Sequence, residues 1–284
     1  MSDRSKRNEI FNSVKNEHPN IDTRDVMADD FGWEVPVESV PIPSQGVIYP
    51  EGSPLYCQQK VDIKAMTARE EDILTSRALI QRGKVLTELM RSCLIDKSID
   101  PDDMLAGDRN ALMVSIRITG YGTDYKAAVD CPMCSAKNNN TFNLANLEIK
   151  RLTTNPVAPG VNLFEFKLPV TKKTVRFKLL TARDQNEIEV TEDRRKKMFP
   201  NDLVGSTVTG RLLTSIVDID GVTDKNKITK FIYNMPALDS RKLRKFMEDV
   251  EPGIDMNLWM KCTSCGEDSR VGLPITTEFF WPRE

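Results

Sequence analysis

Length, composition and charge exclude several classes of protein. With 284 residues, 39% of them hydrophobic, and a formal net charge of −2, the chain is long enough to bury a sizeable core and carries no general attraction for polyanions. It has neither the apolar segment of a signal peptide nor an apolar run approaching the roughly 20 residues of a membrane span, so we expect a protein of a reducing cytoplasm that contacts no membrane.

Residues 1–54 are predicted to form an extended amino-terminal arm. Six of the 16 prolines of the chain lie there, and proline disfavours both helices and central strands. The arm also contains the aromatic residues Phe31, Trp33 and Tyr49, which favour burial. Two interpretations are open: a disordered tail, or a strap whose three aromatic side chains bind a neighbouring subunit.

Residues 55–154 are predicted to form a first half of mixed strands and helices. Thr67 and Glu70 have the spacing of a capping box, in which the two residues satisfy the first amides of a helix. We expect the capped helix to run to about Arg82 and to end at Gly83, because glycine is the residue that most often follows a helix.

Further elements flank this capped helix. Polar and apolar residues alternate around 61–63, which predicts a strand, and the apolar residues of 85–94 have helical spacing. Asp100 is predicted to begin a short helix, and Asp108 a longer one that ends before Gly120.

The connector 155–160, rich in proline and glycine, precedes a second half, residues 161–284, that repeats features of the first. Thr181 opens a Thr-Ala-Arg sequence like that of Thr67, 114 residues earlier. Three later residues, Asp239, Gly253 and Cys262, follow Asp108, Gly122 and Cys131 at a constant spacing of 131. A charged insertion around residues 191–197 accounts for the difference between the spacings of 114 and 131 residues. We therefore predict an α+β fold of two pseudo-repeated halves.

Two C-x-x-C turns, Cys131 with Cys134 and Cys262 with Cys265, each lie between strand-like segments. In a zinc ribbon, two such turns each supply two thiolates to one tetrahedral ion. We predict that these cysteines bind one structural zinc ion in a split ribbon that joins the two halves. Labile disulfides, inert cysteines and a redox motif are the alternatives, and a redox motif would instead be expected at the start of a helix. The sequence does not distinguish zinc from iron.

The predicted helix after Asp239 has one apolar side and one basic side. Its basic residues are Arg241, Lys242, Arg244 and Lys245. Such a side is most often simply solvated, and the alternative is a surface that binds a partner protein.

Catalytic signatures are missing from the sequence. His18 is the only histidine and lies in the arm, so no histidine-based triad or HExxH site can form around a pocket. The sequence also contains no phosphate-binding or nucleophile-elbow motif. We expect no enzymatic activity and no small-molecule substrate.

Four stretches and the first cysteine pair together resemble a known family. The stretches are 40–50 (VPIPSQGVIYP), 66–74 (MTAREEDIL), 107–112 (GDRNAL) and 118–122 (ITGYG). They resemble the baseplate hub subunit family of T-even-type contractile-tail bacteriophages over roughly residues 40–150, and the second half does so more loosely. Two departures are Ser135, where glycine is the common turn residue, and the charged insertion.

The resemblance implies a structural protein of the virion, located in the tail baseplate at or near the central hub. It implies assembly in the host cytoplasm and binding to other hub and wedge proteins. Two alternatives are a zinc-ribbon protein that binds nucleic acid, and an assembly chaperone absent from the mature virion. We expect no nucleic-acid binding, because the sequences after the two C-x-x-C turns are nearly neutral rather than basic and aromatic.

Overall fold

The computed structural model describes residues 35–198, 207–274 and 277–280. In this part of the chain, helices are mixed with small antiparallel sheets that form no barrel, so the fold is of the predicted α+β class. No helix among the same residues is both long enough and apolar enough to cross a membrane.

Eleven strands and nine helices are found in the described ranges. The strands are β1 Val37–Pro41, β2 Lys60–Lys64, β3 Asp124–Asp130, β4 Lys137–Asn143, β5 Glu148–Lys150, β6 Phe164–Lys167, β7 Thr174–Phe177, β8 Ile216–Ile219, β9 Gly253–Asp255, β10 Asn257–Lys261 and β11 Asp268–Gly272. The helices are α1 Ala68–Thr75, α2 Arg77–Gln81, α3 Val85–Cys93, α4 Ala106–Tyr121, α5 Ala182–Met198, α6 Thr207–Ser215, α7 Lys225–Tyr233, α8 Ala237–Val250 and α9 Thr277–Phe280. A short 3-10 helix, Leu144–Asn146, follows β4.

Part of the predicted arm is folded into the body of the protein. β1 pairs with β2 over its whole length, and Ile42 and Tyr49, which follow it, are buried. The prolines permit this because β1 lies at the edge of a two-stranded sheet and Pro41 is its last residue. The extended arm predicted for residues 1–54 therefore does not describe residues 37–54. Residues 1–34 lie outside the described part of the chain.

The capping box at Thr67 is confirmed, but the helix after it is shorter than predicted. Glu70 accepts hydrogen bonds from both the backbone N–H and the hydroxyl of Thr67. The first helix ends at Thr75 rather than near Arg82, because Ser76 has an extended ψ of 106° and interrupts the helical hydrogen bonds. A second short helix, α2, then precedes Gly83.

The long helix α4 begins earlier and ends later than predicted. It starts at Ala106, so Asp108 lies inside its first turn, and it continues through Gly120. No helix begins at Asp100 in the described chain; residues 101–103 form a turn. Gly107 is required at the start of α4, because a Cβ atom there would lie 1.8 Å from the carbonyl oxygen of Pro252.

The charged stretch predicted as an insertion is helical. Residues 191–197 extend α5, which runs to Met198 and carries three basic residues in its last turn. Basic side chains near the carboxyl end of a helix interact favourably with the negative end of the helix dipole, so they stabilise the longer helix.

Elements from both parts of the chain share one core. The hairpins β3–β4 and β10–β11 both contribute buried residues to it, and β5 pairs with β9 across more than 100 residues of sequence. Most of the buried hydrophobic side chains between Val40 and Phe280 form a single cluster. The pairing of β5 with β9 brings the two hairpins side by side, and the turns at their tips lie together.

Candidate metal centre

Each pair of cysteines lies in the turn of a long hairpin. In the first turn the N–H of Cys131 donates to the carbonyl of Ala136, and in the second the N–H of Cys262 donates to that of Glu267. The turn closes through a residue with positive φ, Ser135 at 58° and Gly266 at 76°. Glycine adopts this conformation without cost, whereas serine adopts it less readily. The two turns nevertheless have the same shape.

The four sulfur atoms form one compact cluster. They all lie within 4.8 Å of one another. Cys131 Sγ is 3.8 Å from Cys265 Sγ, and Cys134 Sγ is 3.7 Å from Cys262 Sγ. These distances are too long for disulfides, whose sulfurs are about 2.05 Å apart. A tetrahedron of sulfurs around an ion at about 2.3 Å has edges of about 3.8 Å, so the set can hold a metal ion.

The environment of the sulfurs also suits a cation. Hydrogen bonds from the backbone N–H groups of Cys265 and Ser264 and from the side chain of Asn138 act together to lower the pKa of Cys262 to about 6. The N–H of Glu267 acts to lower the pKa of Cys265, but the neighbouring thiols raise that pKa to about 12. Four thiols this close cannot all ionise without a positive charge among them, and a bound divalent ion supplies that charge. The distances and this chemistry both fit a four-cysteine metal site.

Asn138 connects the two hairpins beside the cysteines. Its Nδ2 donates to the carbonyl of Ala136 at 2.8 Å and to Cys262 Sγ at 3.4 Å. Its Oδ1 accepts bonds of 2.8 Å from both the N–H and the hydroxyl of Thr263. Sequence reasoning missed this buried residue because it stands in a run of three asparagines, and its partners in the second hairpin, Cys262 and Thr263, are 124 and 125 residues away in the chain.

The residues predicted to bind partners are placed very differently from one another. Phe31 and Trp33 lie outside the described residues. Tyr49 is 6% exposed and hydrogen-bonds within its own chain, so its predicted docking on a neighbour is corrected: the side chain belongs to this subunit's core. The four basic residues of α8, Arg241, Lys242, Arg244 and Lys245, are all exposed.

Comparison with known proteins identifies one family. A family model described as T4 bacteriophage base plate protein matches residues 54–281, a range that includes all four clustered cysteines. No curated protein and no solved structure matches the chain.

Proposed function

This chain belongs to the T4 bacteriophage base plate protein family, and we propose that it is a structural subunit at or near the central hub of the baseplate. It acts by binding other hub and wedge proteins rather than by catalysis. The observation that carries the baseplate role is the family match over most of the chain. The position at or near the hub rests on the resemblance of residues 40–150 to hub subunits, and the absence of a catalytic motif from the sequence agrees with a structural role.

The cysteine cluster serves this role as a structural zinc site in a split ribbon. The residues that would hold the ion are Cys131, Cys134, Cys262 and Cys265, two from each hairpin. A closed set of four cysteines leaves no open position for a substrate, which is typical of structural rather than catalytic zinc. The ion would lock two hairpins whose cysteines are more than 120 residues apart in the chain. A subunit under mechanical load in a contractile tail would benefit from that connection.

The two parts of the chain are, in this proposal, copies of one unit. Asp108 in the first turn of α4 accepts bonds from the N–H and hydroxyl of Ser44. Asp239, in the first turn of α8, accepts bonds from the N–H and hydroxyl of Thr171. The spacing between the two aspartates equals that between Cys131 and Cys262.

The capped helices support the same interpretation. Glu70 accepts bonds from the N–H and hydroxyl of Thr67 and pairs with Lys64 at 2.7 Å. Asp184 accepts bonds from the same groups of Thr181 and pairs with Lys178 at 2.7 Å. Lys64, Thr67 and Glu70 each precede their counterpart in the second half by 114 residues. A duplicated monomer presents two similar but inequivalent surfaces, which suits an adaptor between rings of different composition.

Identification of proteins in purified particles tests the proposed role. The chain should be present in mature virions and in isolated baseplates, and its deletion should stop baseplate assembly. Presence in assembly intermediates together with absence from virions would instead support an assembly chaperone. Metal analysis of the purified chain should give one zinc ion per chain, and a ratio well below one in every preparation would contradict the zinc site.

A further inference from the structure

A cavity of about 530 Å³ lies between helices α6 and α8, and we call it the α6–α8 pocket. Its walls are largely apolar, with Leu212 from α6 and Met247 from α8 among the lining residues. Ser215 also lines it. The Oγ of Ser215 is buried and has no hydrogen-bond partner among the described residues. A buried hydroxyl without a partner is costly, so the pocket is suited to an apolar group that carries one polar atom.

The rim of the pocket next to the middle of α8 is positively charged. Arg244 lines the pocket, is exposed, and makes no ion pair within the described part of the chain. Arg241 lies one turn before Arg244 on the same side of the helix and is exposed. Of the two acidic lining residues, Glu248 lies one turn after Arg244, and Oε2 of Glu251 is 3.6 Å from Nη2 of Arg211. The lining contains three basic residues, Lys178, Arg211 and Arg244, and two acidic ones, so together with Arg241 the rim favours an acidic partner.

Residues 29–34 of this chain have matching chemistry. Their sequence is Asp-Asp-Phe-Gly-Trp-Glu, with three acidic and two aromatic residues. A tryptophan supplies a large apolar surface and one indole N–H that needs an acceptor when it is buried. We infer that residues 29–34 of a second copy of this chain bind the α6–α8 pocket, with Trp33 beside Ser215 and the acidic residues beside Arg244. This inference rests on the proposed role as an assembly subunit.

The geometry indicates that the bound segment comes from a second copy of the chain rather than from the same molecule. The carbonyl of Pro36 accepts a bond from the N–H of Ala65, and Met66 packs on Gly120 at the end of α4. The α6–α8 pocket lies near the start of α4, where Gly107 contacts Pro252. The thirteen residues from Gly107 to Gly120 make α4 roughly 20 Å long between these two points.

Three residues of extended chain from Pro36 to Trp33 reach only roughly 10 Å. The pocket of the same molecule is therefore too far away. Binding between copies is a heterologous contact, in which one surface of a subunit meets a different surface of the next. Repeated contacts of this kind close into a ring when the rotation permits it, and a ring is a natural form for part of a baseplate.

Sedimentation of the purified full chain tests the contact through two complementary variants. Trp33→Ser removes the bound side chain, and Arg244→Glu reverses the charge of the rim. Each variant alone should weaken self-association by at least about tenfold, because buried tryptophan and arginine contribute most at interfaces. The two variants mixed should form a dimer, since one retains the pocket and the other retains the segment. Lys230→Glu, an exposed charge reversal on α7, is the control and should associate normally.

A labelled peptide of residues 28–36 gives a second measurement, with the Trp33→Ser chain as its receptor. Val208→Trp fills the pocket at an exposed position and should reduce peptide binding by at least about tenfold. A chain that stays monomeric at all concentrations, a mixture that forms no dimer, or peptide binding unaffected by Val208→Trp would each overturn the inference. The proposed baseplate role would stand in that case if the chain is found in virions. Conversely, self-association of a chain absent from baseplates would contradict the role alone.

Discussion

The hydroxyl of Tyr49 donates a 2.7 Å hydrogen bond to Oδ2 of Asp108, and both side chains are buried. The same hydroxyl accepts a 2.8 Å bond from the N–H of Leu105, the residue just before α4. Tyr49 therefore fixes the start of α4 to the loop after β1. Burial raises the pKa of Tyr49 well above its usual value, so the hydroxyl remains a donor to the carboxylate.

Removal of this hydroxyl should destabilise the protein without changing its fold. Tyr49→Phe leaves the buried Leu105 N–H without its partner, which costs about 1–3 kcal/mol, and removes one of the two bonds to Oδ2 of Asp108, which still accepts from the Ser44 hydroxyl. The free energy of unfolding, measured in urea, should fall by at least about 1 kcal/mol. Tyr233→Phe is the matched control, because Tyr233 is 64% exposed, and it should change stability little. An unchanged stability of Tyr49→Phe would contradict the assignment.

Loss of one cysteine of the cluster should release the metal and destabilise the protein. Cys262→Ser removes one of four ligands, and structural zinc is coupled to folding, so stability should fall by several kcal/mol. A chelator should destabilise the unmodified chain and leave the variant unaffected. Cys57→Ser, which alters a cysteine outside the cluster, should retain the full metal content. If Cys262→Ser retains metal and stability, the four-cysteine site is incorrect.

The features that the sequence predicted are those with a fixed local spacing. The capping box at Thr67 and the two C-x-x-C turns each depend on residues three apart, and both appear as predicted. That distant turns would meet could also be inferred, because four-coordinate zinc requires four ligands.

The features that the sequence missed depend on partners far along the chain. The prolines of residues 1–54 indicate an extended arm that includes Tyr49, whereas the buried partner of Tyr49, Asp108, is 59 residues away in the chain. Asp108 is a residue type that favours a helix start, but its side chain is fully buried inside the first turn of α4. Ser76 divides a helix that has no proline or glycine to mark the division. Such contacts are set by tertiary packing and leave no periodic signal in the sequence.

The contact between Gly107 and Pro252 should tolerate no side chain. Gly107→Ala would place a Cβ atom 1.8 Å from a backbone oxygen, so α4 must move away from the start of β9. Overpacking of this kind costs typically 1–3 kcal/mol, and backbone atoms yield less readily than side chains. We expect a loss of at least about 2 kcal/mol in urea unfolding. The control is Gly52→Ala, where no atom lies within 4 Å of the added Cβ, and a similar loss in both variants would contradict the packing argument.

The pH dependence of stability should report the bonds to Glu70. Burial acts to raise the pKa of Glu70, but hydrogen bonds from Lys64, Ser92 and Thr67 together lower that pKa from 4.5 to about 2. Because the folded pKa is the lower one, the unfolded chain binds the proton more readily. The resulting stabilisation is fully present above about pH 4.5 and is lost as the pH falls toward 2.

A shift of this size corresponds to about 3 kcal/mol, since each pKa unit is worth about 1.4 kcal/mol. Unfolding free energies should be measured in urea from pH 6 to pH 2.5 for the unmodified chain and for Glu70→Gln. The variant should be less stable at pH 6, and its stability should fall less steeply below pH 4.5, because it has no carboxylate at this position to protonate. Glu38→Gln, which changes an exposed carboxylate, should retain the slope of the unmodified chain. Parallel curves for Glu70→Gln and the unmodified chain would show that the ionised Glu70 does not stabilise the start of α1.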